Sequence, residues 1–346
     1  AFTSATVGLL VGVVGGIILA KFGARAASSS RRKNMTDLVT FGESMGALTF
    51  TESPQIGARP RASFGGAETN VAIGMARLGH STAWVGSVGK DLFGYMIMRT
   101  LRGEGVRWDH ARQITTAPTG VLVSRHAGLG TFAVDYHRKF SAGRLITPDQ
   151  IRAMFELEPK IVHLTGITPA LGEEARAATM LAVELAGERG VPVSFDVNFR
   201  SRLWNAQDAA PVLAQIARGA HVVFGGTEEL ELLTGESEVA AATQRLLDWG
   251  VSEVVWKDST TARVTTPTES VERPGRRVTV VDTIGAGDAF VAGYLSGWLE
   301  GLSFAERLDR GHLLGAFAVG TIGDWEGGPT REELTIAEIS GGEVAR

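Results

Sequence analysis

Val281-Asp282-Thr283-Ile284-Gly285-Ala286-Gly287-Asp288-Ala289-Phe290 is the stretch on which the fold turns. A β-branched run from Val278 to Val281 leads into it, and it opens into Asp288-Ala-Phe-Val-Ala-Gly-Tyr-Leu-Ser-Gly-Trp-Leu, whose apolar residues recur at helical spacing. Gly285, Ala286 and Gly287 carry almost no side chain, so at a helix N-terminus their backbone N–H groups are free to face an anion, with the helix dipole behind them. Asp288 in the first turn then stands beside that anion, placed to take a proton from whatever attacks it. The pattern reads as strand, anion-binding turn, helix and base, which is the outline of a phosphoryl-transfer site.

Composition narrows the alternatives. The 346 residues are 44% hydrophobic and 21% charged, the balance of a globular chain. Without cysteine there are no disulfides, thiolate zinc sites or cysteine nucleophiles. The formal charge of −4 is uneven: residues 1–34 hold Lys21, Arg25, Arg31, Arg32 and Lys33 with no acid, leaving the remainder at −9. A body of that sign lacks the clustered cations that nucleic-acid binding needs.

Residues 5–20 are apolar and glycine-rich, shorter than the ~20 residues of a spanning helix. Three readings stay open for 1–34: a short anchor, an organelle-type presequence, or sequence upstream of a start at Met35. The third is the expectation, because Thr36–Gly42 reads as a first strand directly after the methionine. Membrane association is expected only if the tail is real and retained, and the location is otherwise cytoplasmic. The folded domain is expected over 35–340.

From Met35 onward strands and helices alternate. Strands are expected at Leu38–Phe41, Thr82–Val85, Ile161–Leu164, Val193–Asp196, Val222–Phe224 and Val254–Lys257. Helices are expected at Glu68–Leu78, Tyr95–Arg102, 172–189, 208–218, 227–233 and 238–249. That order argues for an α/β fold with a central, mostly parallel sheet covered by helices on both faces. Thr119–Arg125 and Thr131–Tyr136 break the alternation, joined by His126-Ala-Gly-Leu-Gly130 as in a hairpin. With strands near 47–66 they are expected to form a small antiparallel sheet, a lid drawn from about 47–66 and 117–140. Its exposed edge invites a second subunit, so a homo-oligomer through the lid sheet is expected.

Other glycine motifs fail. Gly42-Glu-Ser-Met-Gly46 has the spacing of a nucleophile elbow but runs into Ala47–Thr51, a strand pattern where the elbow needs a helix. Gly89-Lys90 is followed by Asp91, not Ser or Thr, and Phe290 occupies the third glycine position of a dinucleotide fingerprint. Two further segments fit a ligand site instead. Phe64-Gly65-Gly66-Ala67-Glu68-Thr69-Asn70 places paired glycines before a helix. Val193-Ser-Phe-Asp196-Val-Asn198-Phe-Arg200 places polar groups just past a strand's carboxyl end, where open α/β sheets bind ligands.

Gly65–Ala72 with Leu78-Gly79, Gly86-Ser-Val-Gly89-Lys-Asp91 through Gly94, and Asp282-Thr283 through Asp288 resemble the two signatures of the ribokinase-like (PfkB) carbohydrate kinases, and the similarity runs from about residue 37 to 335. Tyr136-His-Arg138 with Ser141-Ala142-Gly143, His163 through Pro169, Asp196 through Trp204, and Gly323-Asp324 with Gly327 are most similar to the 2-keto-3-deoxygluconate kinases of that family. The resemblance implies ATP and Mg²⁺ as cofactors and transfer of the γ-phosphate to the terminal hydroxyl of 2-dehydro-3-deoxy-D-gluconate. It implies Asp288 as base, the amides of Gly285, Ala286 and Gly287 around the phosphate, and Gly66, Ala67, Glu68, Thr69 and Asn70 on the sugar side. Tyr136 and Arg138 would reach in from the lid, Arg200 and Asp324 from the body. Lys257, Ser259, Ala262 and His312 would seat the nucleotide, and Glu229 would meet the metal through water. Two arginines also suit a carboxylate better than a neutral sugar.

The sequence departs from the family on the nucleotide side. Gly226-Thr-Glu-Glu229 keeps only the glutamate of the usual Asn-x-x-Glu, Lys257-Asp-Ser-Thr-Thr-Ala262 lacks a glycine at its turn, and His312 replaces an asparagine. Two other readings therefore stay open: a kinase for fructose or a related ketose, and a sugar-acid sensor that has lost ATP.

Overall fold

The computed structural model describes residues 35–51, 55–126 and 132–339. The tail 1–34 and the hairpin loop at 127–130 lie outside these described residues.

The chain builds the expected central sheet. Its strands are β1 (Thr36–Phe41), β4 (Thr82–Val85), β9 (Pro159–Thr165), β10 (Val193–Asp196), β11 (Val222–Gly225), β12 (Glu253–Lys257), β13 (Thr261–Thr265) and β14 (Ser270–Pro274). They lie in the order β14-β13-β12-β11-β10-β9-β1-β4. Pairing from β4 through to β12 is parallel, whereas β12–β13 and β13–β14 are antiparallel. The helices are α1 (Ala67–Arg77), α2 (Leu92–Gly103), α3 (Pro148–Met154), α4 (Glu173–Arg189), α5 (Ala206–Arg218), α6 (Thr227–Thr234), α7 (Val239–Asp248), α8 (Ala286–Leu299), α9 (Phe304–Val319) and α10 (Arg331–Ile339).

Successive strand residues face opposite layers, which is why the strands read as unbroken apolar runs. Val39, Val162, Val223 and Val254 pack into a core with residues of α3 to α7. Their neighbours Leu38, Ile161, Val222 and Val255 pack into a second core with α1, α8, α9 and α10. Trp84, Ile73 and Ile97 belong to a third cluster, towards α2.

A second sheet joins β3 (Arg61–Gly65), β2 (Met45–Phe50), β7 (Val121–His126) and β8 (Phe132–His137), in that order. It was expected to be antiparallel, but it is mixed: β2–β3 and β7–β8 are antiparallel, and β2–β7 is parallel. Ser87–Gly89 and Arg112–Ile114 form a further parallel pair, β5–β6. The run Val278–Val281, read as a strand, is not one. Val278, Val280 and Val281 are exposed, and the amides of Val281 and Asp282 both go to the Val319 carbonyl. No helix among the described residues is long and apolar enough to cross a membrane.

Candidate active site

The parallel strands end on one side of the sheet, and the chemistry-bearing residues gather there. Glu43 follows β1, Asp196 ends β10, Glu229 lies in the first turn of α6 after β11, and Lys257 ends β12. The N-terminus of α8 faces the same space. A cavity of about 1090 Å³ opens over these ends and reaches to the second sheet. A space of that size admits two ligands side by side.

The turn before α8 is built as its sequence requires. Gly285 caps the helix with φ 75°, a left-handed conformation that glycine adopts without strain. Asp282, buried, accepts from the Ile284 amide at 3.0 Å and from the Gly323 amide at 3.2 Å, tying this turn to the 321–328 loop. Gly285, Gly287 and Asp288 line the cavity, while Ala286 is not among its lining residues.

Asp288 Oδ2 accepts from Asn70 Nδ2 at 2.8 Å, and Asp324 Oδ2 lies 3.5 Å from the same nitrogen. Removal from water pushes the Asp288 carboxyl up to about 7; nearby Asp196 adds to this, while the Asn70 bond, Arg200 and Lys257 pull the other way. Asp324 is likewise pushed up to about 7, by burial and then by the charges of Asp288 and Glu326. A carboxylate poised near neutrality suits general-base work.

Of the residues expected on the sugar side, Gly66, Ala67, Glu68, Asn70, Tyr136, Arg138, Arg200 and Asp324 line the cavity. Thr69 does not; it is buried, and its hydroxyl returns to the Gly66 carbonyl at 2.9 Å. Glu68 is fixed beneath the pocket by Thr165 and Thr168 hydroxyls at 2.6 and 2.7 Å, and burial raises its pKa. Arg138 is 10% exposed and paired with Glu43, whose other oxygen accepts from the Ser141 hydroxyl. Arg200 is exposed at the cavity wall and close enough to Asp288 to influence its charge. Arg202 joins the body to the second sheet, donating to the Val134 carbonyl at 2.5 Å.

The nucleotide-side residues divide. Lys257 and Glu229 line the cavity; Ser259, Ala262 and His312 do not. Ala262 is fully buried in the core shared with α8 and α9, and His312 packs edge-on against Phe290 while its Nε2 lies 3.0 Å from the Arg273 carbonyl. The glycine-free turn after Lys257 is closed by Asp258, whose Oδ1 accepts from the amides of Thr260 and Thr261 at 2.6 and 2.8 Å. A side chain thus does there what a glycine backbone does in other turns.

Glu229 has both oxygens engaged, by the Phe199 and Gly226 amides at 2.9 Å each. Burial and then the charge of Asp196 raise its pKa. Among the described residues there is no cluster of three or more metal-ligating side chains. Mg²⁺ that arrives on nucleotide phosphates needs only one or two carboxylates. The buried Asp196 Oδ1, which has no hydrogen-bond partner, and Glu229, acting through water, are acceptors that fit such an ion.

Glu43 is the residue that reading the sequence missed. Its place just past the end of β1 was the available signal, since strand ends are where ligands sit. A glycine-led helix N-terminus, a buried carboxylate beside it and a polar cavity between two sheets are the parts that a small-molecule phosphotransferase of the α/β class would use. Residues 35–331 match the pfkB family of carbohydrate kinases, and the chain belongs to it. It is 39% identical over 307 residues to a 2-dehydro-3-deoxygluconokinase of Bacillus subtilis, covering 86% of this chain and 94% of the relative. A 2-dehydro-3-deoxygluconokinase of Thermoproteus tenax is 32% identical over 273 residues, covering 78% and 83%. The crystal structure of a Xylella fastidiosa fructokinase with bound ATP superposes with a TM-score of 0.79 at 26% identity, covering 90% of this chain and all of the other.

Proposed function

We propose that this carbohydrate kinase uses ATP and Mg²⁺ to phosphorylate the terminal hydroxyl of 2-dehydro-3-deoxy-D-gluconate. The carrying observation is that one cavity holds Asp288 beside the α8 anion turn and, on its other walls, the cations Arg138 and Arg200. The sugar's primary hydroxyl gives its proton to Asp288 as its oxygen attacks phosphorus. The amides of Gly285 and Gly287, which line the cavity, hold the transferring group, whereas the Ala286 amide is turned to the Thr283 carbonyl. Magnesium, when bound, neutralises phosphate charge, with Asp196 and Glu229 nearby. Asp324 and Asn70 sit where they steer the hydroxyl towards the base. The residues do little covalent chemistry: positioning and charge carry the rate.

Glu43 already answers the charge of Arg138, so of these two arginines Arg200 is offered as the cation for the substrate carboxylate. Turnover of a panel of sugars with ATP and with GTP tests the assignment. The keto-acid should be preferred with ATP, and Arg200→Ala should raise its KM by tenfold or more while sparing neutral sugars. Preference for fructose, with no effect of Arg200→Ala, would replace the substrate with a ketose.

The kinase domain spans 35–340 on this reading, with the four-stranded sheet as lid, and works in the cytoplasm. Its outer strands β3 and β8, with Tyr136 and Phe140 exposed beside them, are offered as the surface of a homo-oligomer. Light scattering should report a dimer or larger, and a monomer at micromolar concentration would remove that part of the proposal.

A further inference from the structure

Lys257 lies between Asp196 and the turn that opens α8. Its Nζ lies 2.9 Å from Asp196 Oδ2, and the two side chains are 18% and 3% exposed. A β-carbon at Gly287 would be 3.6 Å from that nitrogen, so the ammonium lies directly against the second glycine of the anion turn. Ser259, Ala262 and His312, grouped with it from sequence, lie outside the cavity that Lys257 lines.

The charges around it explain why a lysine is there. Asp196 is in direct contact with its ammonium, and Glu229 and Asp288 line the same cavity. Three carboxylates thus surround the place where a transferring phosphoryl group would add further negative charge. Arg200 lies at the exposed wall, whereas Lys257 lies under the turn itself. A fixed salt bridge would leave that added charge unanswered at the point where it is greatest.

We propose that Lys257 is a catalytic residue that exchanges partners, leaving Asp196 to bind an oxygen of the transferring phosphoryl group over Gly287. The bond from phosphorus to the leaving nucleotide oxygen breaks as the bond from the sugar oxygen forms. The hydroxyl proton goes to Asp288, and Lys257 keeps its three protons throughout. The inference rests on the kinase reading and adds a role that acts on the transition state, not on nucleotide affinity.

The test compares turnover with equilibrium binding in Lys257→Met. We expect kcat to fall at least about a hundredfold, the loss seen on removing one such donor. Affinities for ATP·Mg²⁺ and for the sugar should stay within about threefold. The tight complex of ADP, aluminium fluoride and sugar should be lost while ADP alone binds as in the parent. A kcat within threefold of the parent, or a loss matched by weaker ATP binding, would overturn the proposal. Lys257→Met combined with Asp196→Asn removes both charges and serves only as a folding control, since Asp196 is itself placed beside the metal: parental ADP binding in it shows that loss of the ion pair leaves the fold intact. A parent that turned over no sugar would count against the kinase reading, and the fluoride complex would still decide the role of Lys257.

Discussion

Asn70 donates to Asp288 Oδ2 at 2.8 Å, so the first turns of α1 and α8, 218 residues apart in sequence, meet at the carboxylate proposed as the base. The same amide nitrogen stands 3.5 Å from Asp324, and one donor therefore serves two partly buried acids. An N–H bond favours the ionised form of Asp288, whereas burial and Asp196 favour the protonated form, and Arg200 and Lys257 face it as cations.

This arrangement fixes the sign of the pH dependence. Asp288 accepts a proton only when ionised, and its pKa is about 7, well above an ordinary aspartate. Activity should therefore rise with pH through about 7 and fall away below it. Asp288 and Asp324 titrate as neighbours, so the acid limb of kcat/KM reports the pair. Asp324→Asn removes a negative neighbour and should shift that limb to lower pH. Asn70→Leu removes the bond that favours the carboxylate and should shift it higher. Opposite shifts in a pH–rate profile would mean that another group is the base.

Asp288→Asn keeps the shape and removes the basicity. Turnover should fall by about three orders of magnitude, the middle of the range that a positioned base contributes. Sugar affinity, measured by calorimetry, should stay within a few-fold. Retained turnover would place the base elsewhere.

Glu43→Gln tests a buried ion pair. Arg138 is 10% exposed and Glu43 1%, so removing the carboxylate's charge leaves a nearly dry guanidinium without its counter-ion. Breaking such a pair costs about 3–5 kcal/mol. The melting temperature should drop clearly, and the KM for the sugar should rise because Arg138 is no longer held at the pocket wall. An unchanged melting temperature would show that the pair contributes little to the fold.

What was legible in the sequence was local. Gly285, Gly287 and Asp288 announce themselves because a helix start needs only neighbouring residues to be recognised, and Leu38–Phe41 or Val222–Phe224 are apolar enough to be buried on both faces. What was not legible depends on distant partners. Glu43 owes its role to Ser141, 98 residues away, and to Arg138. The β2 and β7 segments were expected to share a sheet, but their parallel pairing, which joins residues about 75 apart, was not legible. Val278–Val281 has the β-branched composition of a strand, yet its end is pinned to the last turn of α9, which no periodicity reveals. Lys257 was read as a nucleotide residue, but its contact with Asp196 and its place against Gly287 depend on distant segments and could not be read from the sequence.

Gly285→Ala separates the backbone requirement of the anion turn from simple loss of stability. At φ 75° an alanine costs about 1–2 kcal/mol. Its β-carbon would also overlap the Asp324 carbonyl oxygen, so the turn or the 321–328 loop must move. Gly301, at the other end of α8, supplies the control: its φ is 72°, and a β-carbon there meets nothing within 4 Å. Gly301→Ala should lower the melting temperature by the conformational cost alone and leave kcat intact. Gly285→Ala should lower it further and reduce kcat by a hundredfold or more, since amides aimed at a phosphate lose most of their value when displaced by an ångström. Equal effects of the two substitutions on kcat and melting temperature would show that the turn tolerates movement, and that the phosphate is held chiefly by side chains.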